Sequence, residues 1–284
     1  MTKTYVVSSS FDESITTSYF LSIRSASDGL SFCVLDPVTN TYIAYANIPF
    51  KDSSADHIKT QELLITEKLL NLPYKKVLFM IETPNATLVP TALYDPAKKQ
   101  ELFNLNHSIN SVDCELQEHK IKMADAWNIF AIPKFLYHLI KNQFDSVSFY
   151  QQHSPFVEGC LLSAQNKKDE NSIHIDLHDH FFDIVVMESR ALKLCNSFKF
   201  TTPNDFIYFV LFTFEQLKMS TENTRIHLHG VYDRQNPYYL ALKNYLRQTK
   251  IVTPSYHFNF SDTLKIKDQY KQEHHNLFNL AICV

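Results

Sequence analysis

Glycine is the residue that this sequence has least of for its length. Only Gly29, Gly159 and Gly230 occur in 284 residues, whereas ordinary usage of about 7% would give roughly 20. Loops that cradle phosphate groups bring backbone N–H groups close to the ligand, and a side chain at Cβ obstructs that approach. The shortage therefore argues against phosphate loops built from glycine.

Disulfides, thiolate metal clusters and membrane spans also find little support. The five cysteines are odd in number, widely scattered and form no C-x-x-C pair, which argues against a disulfide framework and a thiolate zinc site. The longest strongly apolar stretch, residues 206–214, is well short of a bilayer span of about 20 residues. Residues 1–20 contain no apolar segment of the kind found in signal peptides. We expect a cytoplasmic protein without a membrane span.

The charge of the chain is nearly balanced. Lys and Arg together number 27 and Asp and Glu 30, giving a formal net charge of −3. No block of five or more like charges occurs, so the sequence predicts no nucleic-acid partner and no polybasic membrane surface. The composition is 45% hydrophobic and 13% aromatic, which is too apolar for a disordered chain. The length favours two domains or one large one.

The first half of the chain begins with three strand patterns separated by short turns. A polar stretch at residues 24–29 lies between the first two strands, and a turn at residues 36–40 precedes the third, which together predict an antiparallel meander. Helical spacing then predicts a helix over residues 57–72, followed by a buried strand over residues 77–81. The remaining predicted elements are strands at residues 87–94, 114–121, 127–132 and 147–150 and helices at residues 95–105 and 133–144.

The second half repeats that order after a solvated stretch at residues 166–171. Three strand patterns surround a turn at residues 178–180, and Thr202, Pro203 and Asp205 predict the start of a helix that runs to about residue 219. A strand at residues 225–231, a helix at residues 236–247 and a strand at residues 251–258 follow. Matching elements lie about 150 residues apart. The sequence therefore predicts an internal duplication with domains at residues 1–150 and 151–284.

A duplicated meander followed by helix, strand and helix resembles the ribonuclease H-like unit repeated in the actin-like ATPase fold. Sugar kinases, Hsp70-type chaperones, FtsA and PilM share that architecture. More narrowly, the sequence looks like domain-of-unknown-function family 3822, an uncharacterised bacterial family to which that fold has been assigned. The resemblance implies an α/β fold with two ribonuclease H-like lobes, each containing a mixed five-stranded sheet and flanking helices.

The resemblance also implies where a nucleotide would lie. In such folds an Asp and a Gly of the first hairpin turn hold phosphates and magnesium, the second turn carries another Asp-x-Gly, and a Gly-Gly step contacts the nucleoside. Here Arg24 stands at the first Asp position, Asp176 remains without its Gly, and Gly230 remains of the last step. The expected degenerate cleft consists of these three residues together with Ser25, Ser27 and His178. Because phosphoryl transfer depends on positioned metal and phosphate contacts, we expect no cofactor, with weak ATP and Mg²⁺ binding as the alternative.

Alternating polar residues in the second half suggest a metal site instead. His174, Asp176, His178 and His180 would all point to one face of an extended strand, and they offer ligands suited to zinc or another divalent ion. The competing interpretation is a hairpin turn at residues 178–180, which would break the alternation. His227 and His229 alternate as well, on a strand that the duplicated fold places nearby.

Two classes of function follow from these observations. The first is a two-lobed protein that does not hydrolyse ATP and acts as a scaffold or interaction module with a protein partner. Amphipathic tyrosines that suit a partner surface support it, namely Tyr232, Tyr238, Tyr239 and Tyr245. The second is a metal-dependent phosphohydrolase or nuclease, whose carboxylates would be Asp176, Asp179 and Asp183.

Overall fold

The computed structural model describes residues 3–50, 56–108, 112–164, 171–253 and 257–284. Fifteen strands and eight α-helices occur in this part of the chain. The strands are β1 Thr4–Val7, β2 Phe20–Ala26, β3 Gly29–Asp36, β4 Thr41–Pro49, β5 Lys76–Ile81, β6 Ala86–Pro90, β7 Cys114–Ile121, β8 Ala126–Pro133, β9 Val147–Gln151, β10 Ser172–Leu177, β11 Phe181–Glu188, β12 Ala191–Lys199, β13 Arg225–His229, β14 Thr249–Ile251 and β15 Asn259–Phe260. The helices are α1 Asp56–Thr66, α2 Lys99–Asn104, α3 Lys134–Gln143, α4 His153–Ala164, α5 Pro203–Gln216, α6 Pro237–Tyr245, α7 Asp268–Glu273 and α8 His275–Asn279.

The two large sheets have the same strand order. The first runs β4-β3-β2-β5-β9 and the second β12-β11-β10-β13-β14. In each sheet the meander pairs are antiparallel and the last two pairs are parallel. Both sheets thus combine an antiparallel meander with two parallel pairs. The first sheet is wider than the predicted five strands, because β1 and β15 both pair with β4.

Apolar alternation explains which face of each sheet the helices cover. In the first sheet, Leu21 and Ile23 of β2 pack with side chains of α1 and α3. In the second, Ile173 and Ile175 of β10 pack with α5 and α6. The opposite faces point inward, where α8 contacts β2 and β3 and α4 contacts β12. Helices α4 and α8 also contact each other, so the polar residues of both inner faces lie near them.

The C-terminal segment completes the first core, as its apolar composition predicts. Leu277, Phe278 and Leu280 are fully buried against the inner face of the first sheet. The Tyr42 hydroxyl donates a hydrogen bond to the Phe278 carbonyl oxygen. The third sheet, with the order β6-β8-β7, carries a small core of its own around Phe103.

Several predicted boundaries differ from the structure. The polar stretch at residues 24–29 is mostly strand, because β2 continues through Ala26 and leaves only Ser27 and Asp28 as the turn. The predicted strand at residues 251–258 is wrong: β14 ends at Ile251 and β15 begins at Asn259, while residues 254–256 lie outside the described part of the chain.

Helix α5 begins where the sequence predicts and ends at Gln216, slightly before the predicted end. Thr202 and Asp205 form a reciprocal capping box, with Pro203 as the first helical residue. Its aromatic residues do not all lie in the core, since Tyr208 is 62% and Phe212 40% exposed. Among the described residues, no helix combines the length and apolar character needed to cross a membrane.

Candidate functional site

The first hairpin places a buried arginine beside two carboxylates. The Arg24 side chain leaves β2 on the inner face, and its Nε and Nη2 donate to the two oxygens of Glu82 at 2.5 and 2.7 Å. Its Nη1 lies 3.0 Å from Asp28 Oδ1. Such bidentate pairing fits the planar guanidinium, which cannot lose its charge in a protein. Arg24 is therefore paired with two carboxylates of its own half of the chain.

The second hairpin places carboxylates where the first has the arginine. Asp176 of β10 and Asp183 of β11 face each other in register. Asp176 accepts hydrogen bonds from His275 Nε2 at 2.9 Å and Asn276 Nδ2 at 2.7 Å. Asp183 lies 2.9 Å from His153 Nε2. Each buried carboxylate thus has partners from α4 or α8.

His178 joins the two hairpins. Its Nδ1 lies 3.3 Å from Glu82 Oε2, and its Nε2 lies 3.1 Å from Asp183 Oδ2 and 3.5 Å from Asp176 Oδ2. Burial opposes a charge on His178, but Asp176 and Glu82 outweigh burial and raise its pKa well above the ordinary value. His178 is therefore an imidazolium at neutral pH, and it links Glu82 of the first half to the carboxylates of the second.

The pKa values of two carboxyl groups shift in the opposite direction to that of His178. Burial opposes the charge of Glu82, but Arg24 and His178 hold the pKa of its carboxyl well below the usual range. Burial likewise opposes the charge of Asp183, but His153 holds its pKa low. We call the five linked residues Arg24, Glu82, His178, Asp176 and Asp183 the ion-pair chain. Glu82 and Asp183 within it are therefore carboxylates at neutral pH.

A cleft of about 280 Å³ lies between the two hairpins. Four of the residues that the sequence assigns to a nucleotide cleft line it, namely Arg24, Ser27, His178 and Gly230. Four carboxylate residues line it as well, namely Asp28, Glu82, Asp179 and Glu273. Its volume is slightly below the roughly 300–1,000 Å³ of typical ligand pockets, and its lining has more acidic than basic groups.

These residues do not fit a magnesium triphosphate. Arg24 already binds Glu82 and Asp28, and both oxygens of Asp176 accept hydrogen bonds from α8. The two turns present Ser27–Asp28 and Asp179–His180 where a phosphate would need bare backbone. The remaining glycines serve packing: a Cβ on Gly29 would lie 2.4 Å from the Ile48 carbonyl oxygen.

Gly230 has a similar packing role. A Cβ at this position would lie 2.5 Å from the Leu177 carbonyl oxygen and 3.0 Å from Asp176 Oδ1, and its φ of +74° is one that other residues rarely adopt. The glycine therefore lets β13 end close against β10.

The four predicted metal ligands do not converge. Asp176 and His178 lie in the ion-pair chain, His180 is exposed in the turn, and His174 faces a different cavity with His229. The turn at residues 178–180 breaks the alternation, as the competing interpretation required. Ser25, predicted to line the cleft, is instead buried in β2, where its carbonyl oxygen accepts the Glu82 N–H.

Sequence reasoning missed four residues that hold this region together. Glu82 and His153 follow the parallel strands β5 and β9, and polar residues at the carboxyl ends of parallel strands are a recognisable signal. His275 and Asn276 lie about 100 residues after Asp176 and had no local signal.

One family model matches most of the chain. The family described as Protein of unknown function (DUF3822) matches residues 8–249, and the chain belongs to it. Among curated proteins, none is similar enough to count as a relative.

Solved structures share the fold. A Bacteroides thetaiotaomicron protein described as having an actin-like ATPase fold and unknown function has 23% sequence identity and a TM-score of 0.78, with 91% of this chain and 96% of that chain covered. The PilM-PilN type IV pilus biogenesis complex contains a chain with 11% identity and a TM-score of 0.61, with 92% and 97% covered. The protein has the actin-like ATPase fold, as predicted.

Proposed function

We propose that this member of the DUF3822 family is a non-hydrolysing actin-like protein, composed of lobes at residues 1–150 and 151–284, that serves as a scaffold or protein-interaction module. The observation that carries the proposal is the pairing of Arg24 with Glu82 and Asp28 at the position where the fold would hold a metal. The proposal includes internal duplication, a bacterial origin and the cytoplasmic location that the sequence predicts.

The first argument is electrostatic. A triphosphate entering the cleft would approach the carboxylates of Asp28, Asp179 and Glu273, whereas Arg24 and His178 are already neutralised by acidic partners. Like charges raise the free energy of binding, and the low dielectric of a partly buried cleft strengthens this repulsion. A nucleotide would have to break the ion-pair chain to gain a cation.

The second argument concerns motion. Nucleotide-dependent switching needs two arrangements that bind the ligand differently. His178 joins Glu82 to Asp183, and α8 packs on the first sheet while His275 and Asn276 hold Asp176 of the second. These contacts favour one fixed orientation of the two halves relative to each other, which suits a scaffold.

The third argument concerns partners. Exposed aromatic and large aliphatic side chains occur on and beside α5 and α6, namely Tyr208, Phe212, Tyr232, Leu240 and Tyr245. Exposed aromatic residues are typical of protein interfaces. PilM, which shares the fold, occurs in a complex with PilN.

The nucleotide half of the proposal is tested by calorimetric titration with Mg-ATP and Mg-ADP. We expect no heat of binding at micromolar to low-millimolar nucleotide, and no phosphate release. Micromolar affinity, or metal-dependent hydrolysis that Asp176→Ala abolishes, would contradict it.

The interaction half is tested by placing a photo-crosslinking amino acid at Tyr245. Val38 is the control position because it is more exposed than Tyr245 and lies far from it in the sequence. We expect one discrete protein adduct from Tyr245 and none from Val38. Identical adduct patterns at both positions would remove this support.

A second candidate rests on one geometric observation. The ligand atoms of Asp176, His178 and Asp183 lie within 4.8 Å of one another, which is compatible with a metal-dependent phosphohydrolase or nuclease. A protonated His178 cannot coordinate a metal, so this activity would require its proton to leave. Stoichiometric Mn²⁺ or Mg²⁺ binding that Asp183→Asn abolishes would favour this candidate.

A further inference from the structure

A second cavity, of about 420 Å³, lies on the inner face of the second sheet. Cys160, His174 and His229 line it, together with three other histidines, His227, His257 and His275. Thr253 and His257, which also line it, are exposed, so the cavity reaches solvent. This cavity is separate from the cleft between the hairpins and contains none of the residues of the ion-pair chain.

Two strands and one helix bring the three potential ligands together. His174 of β10 and His229 of β13 lie on neighbouring parallel strands, where His174 pairs with His227 and Asp176 with His229. Cys160 comes from α4, which covers the same face. One ligand atom from each of Cys160, His174 and His229 lies within 4.8 Å of the others.

The nitrogen atoms have the spacing of ligands on one ion. His174 Nδ1 and His229 Nε2 are 3.1 Å apart and share a hydrogen bond, whose proton a bound ion would replace. Two nitrogens bound to the same tetrahedral zinc at about 2.0–2.1 Å would be about 3.3–3.4 Å apart. The two nitrogens are therefore close to the spacing that a shared zinc ion requires.

A supporting hydrogen bond fixes one of the rings. His174 Nε2 lies 3.2 Å from Ser172 Oγ, so the nitrogen that does not face His229 can donate to a hydroxyl. Ligating histidines commonly donate their second N–H in this way, which orients the ring and selects the tautomer. The arrangement leaves Nδ1 of His174 directed toward the proposed ion.

We propose that Cys160 Sγ, His174 Nδ1 and His229 Nε2 bind one Zn²⁺ ion, with the fourth coordination position facing the cavity. One thiolate and two imidazoles suit zinc, and three protein ligands with one open position are typical of zinc sites that accept water or a small ligand. Binding replaces the thiol S–H bond with an S–Zn bond and releases that proton to solvent. The proton held between the two imidazoles moves from His229 Nε2 to His229 Nδ1, so both rings bind in their neutral form.

The proposal also explains why the scattered cysteines predicted no zinc site. The site uses a single cysteine, and its histidines come from two strands that are distant in sequence. No short spacing pattern marks such a set. The proposed ion does not depend on nucleotide binding, so the site can exist whether or not the scaffold role is correct.

The test uses the full chain purified without a polyhistidine tag and stripped with a chelator. Titration with Co²⁺ should reach one equivalent and give both a thiolate-to-cobalt charge-transfer band and the visible bands of tetrahedral cobalt. Added Zn²⁺ should displace the cobalt. Absence of the charge-transfer band, or failure of Zn²⁺ to displace Co²⁺, would overturn the proposal.

Matched variants identify the ligands. Cys160→Ser should lose the charge-transfer band, whereas Cys114→Ser, in the third sheet, should keep it. His229→Gln should weaken zinc binding by more than about 100-fold, because loss of a supporting residue alone typically costs 10–100-fold. His138→Gln, at an exposed position of α3, should have no effect. A band that persists in Cys160→Ser, or equal effects at His229 and His138, would contradict the assignment.

Two further measurements cover the case in which a ligand variant fails to fold. Ser172→Ala should keep the charge-transfer band and weaken zinc binding by about 10-fold. X-ray absorption of the zinc-loaded wild-type protein should show one sulfur at about 2.3 Å and two imidazole nitrogens at about 2.0–2.1 Å. A zinc shell without sulfur would overturn the proposal.

Discussion

Arg24 and Asp176 occupy matching positions in the two hairpins and carry opposite charges. Each lies three residues before its two-residue turn, Ser27–Asp28 in the first hairpin and Asp179–His180 in the second. Arg24 binds carboxylates, and Asp176 binds His178, His275 and Asn276. One backbone pattern therefore supports two opposite electrostatic environments.

The difference shows how ion pairs can link two hairpins across a cleft without a large apolar surface between them. An arginine on one side and an aspartate on the other allow Glu82 and His178 to form a continuous series of alternating charges between them. Two aspartates at these positions would repel each other unless a cation lay between them. Here the cations are the side chains of Arg24 and His178.

The largest effect should come from removing the arginine. Arg24→Met leaves Glu82 buried without its bidentate partner, and breaking a buried ion pair typically costs about 3–5 kcal/mol. Urea denaturation should show this loss in the free energy of unfolding. The double variant Arg24→Met/Glu82→Met should cost less than the sum of the two single variants.

The control for this experiment is Lys193→Met. Lys193 pairs with Glu188 at 2.7 Å on the surface, and exposed pairs contribute about 0–1 kcal/mol. If Arg24→Met costs no more than Lys193→Met, Arg24 does not hold the first hairpin and the comparison between the hairpins fails.

A smaller loss of stability is expected from changing Asp176, which matches Arg24 in the second hairpin. Asp176→Asn keeps the shape and one acceptor oxygen for His275 but removes the charge, so the loss should be that of hydrogen bonds to a charged group, about 1.5–3 kcal/mol. Thermal and urea unfolding measure it. His178 retains Glu82 and Asp183 in this variant. A loss larger than that of Arg24→Met would reverse the proposed order of the two sides.

The smallest expected effect is the dependence of the free energy of unfolding on pH. The pKa of His178 is raised in the folded protein. Its contribution to the free energy of unfolding is therefore complete below the unfolded pKa of about 6.5 and is lost as pH rises toward the folded pKa. The pKa values of Glu82 and Asp183 are lowered, so their contributions are complete above about pH 4.5 and are lost at lower pH. The ion-pair chain should stabilise most between about pH 4.5 and 6.5.

His178→Gln isolates the alkaline side of this profile. The fall in unfolding free energy above pH 6.5 should become shallower by up to about 1.4 kcal/mol per pH unit, the value for one proton. His138→Gln serves as the control because His138 is exposed on α3. Equal slopes for the His178 variant and the wild-type protein would show that His178 is not charged in the folded state.

Much of the fold could be predicted because local pattern and turn chemistry agree. Apolar alternation and the turn before β11 indicated the second meander, and Thr202, Pro203 and Asp205 fixed the start of α5 through capping that is encoded within four residues. The short edge strands β1 and β15 were missed, because a few residues paired with β4 leave no periodic signal.

The site was only partly predictable for a related reason. Arg24, Ser27, His178 and Gly230 were found because the hairpins of the suspected fold marked their positions. Glu82, His275 and Asn276, which pair with Arg24 or Asp176, come from a strand end and from α8, far along the chain, and only the folded structure brings them together. Arg24 is buried because β2 extends through Ala26. The polar composition of residues 24–29 indicated a turn there, so the sequence did not predict this burial.

Helix α8 has a consequence for synthesis on the ribosome. Its residues cover the inner face of the first sheet and also supply His275 and Asn276 to Asp176, yet they follow all of the described strands in the chain. Both sheets must therefore be translated before the segment that covers the first sheet and supplies hydrogen bonds to Asp176 of the second. A nascent chain stalled before residue 275 would leave Tyr42, Tyr45 and Leu78 without the apolar side chains that cover them in the folded protein.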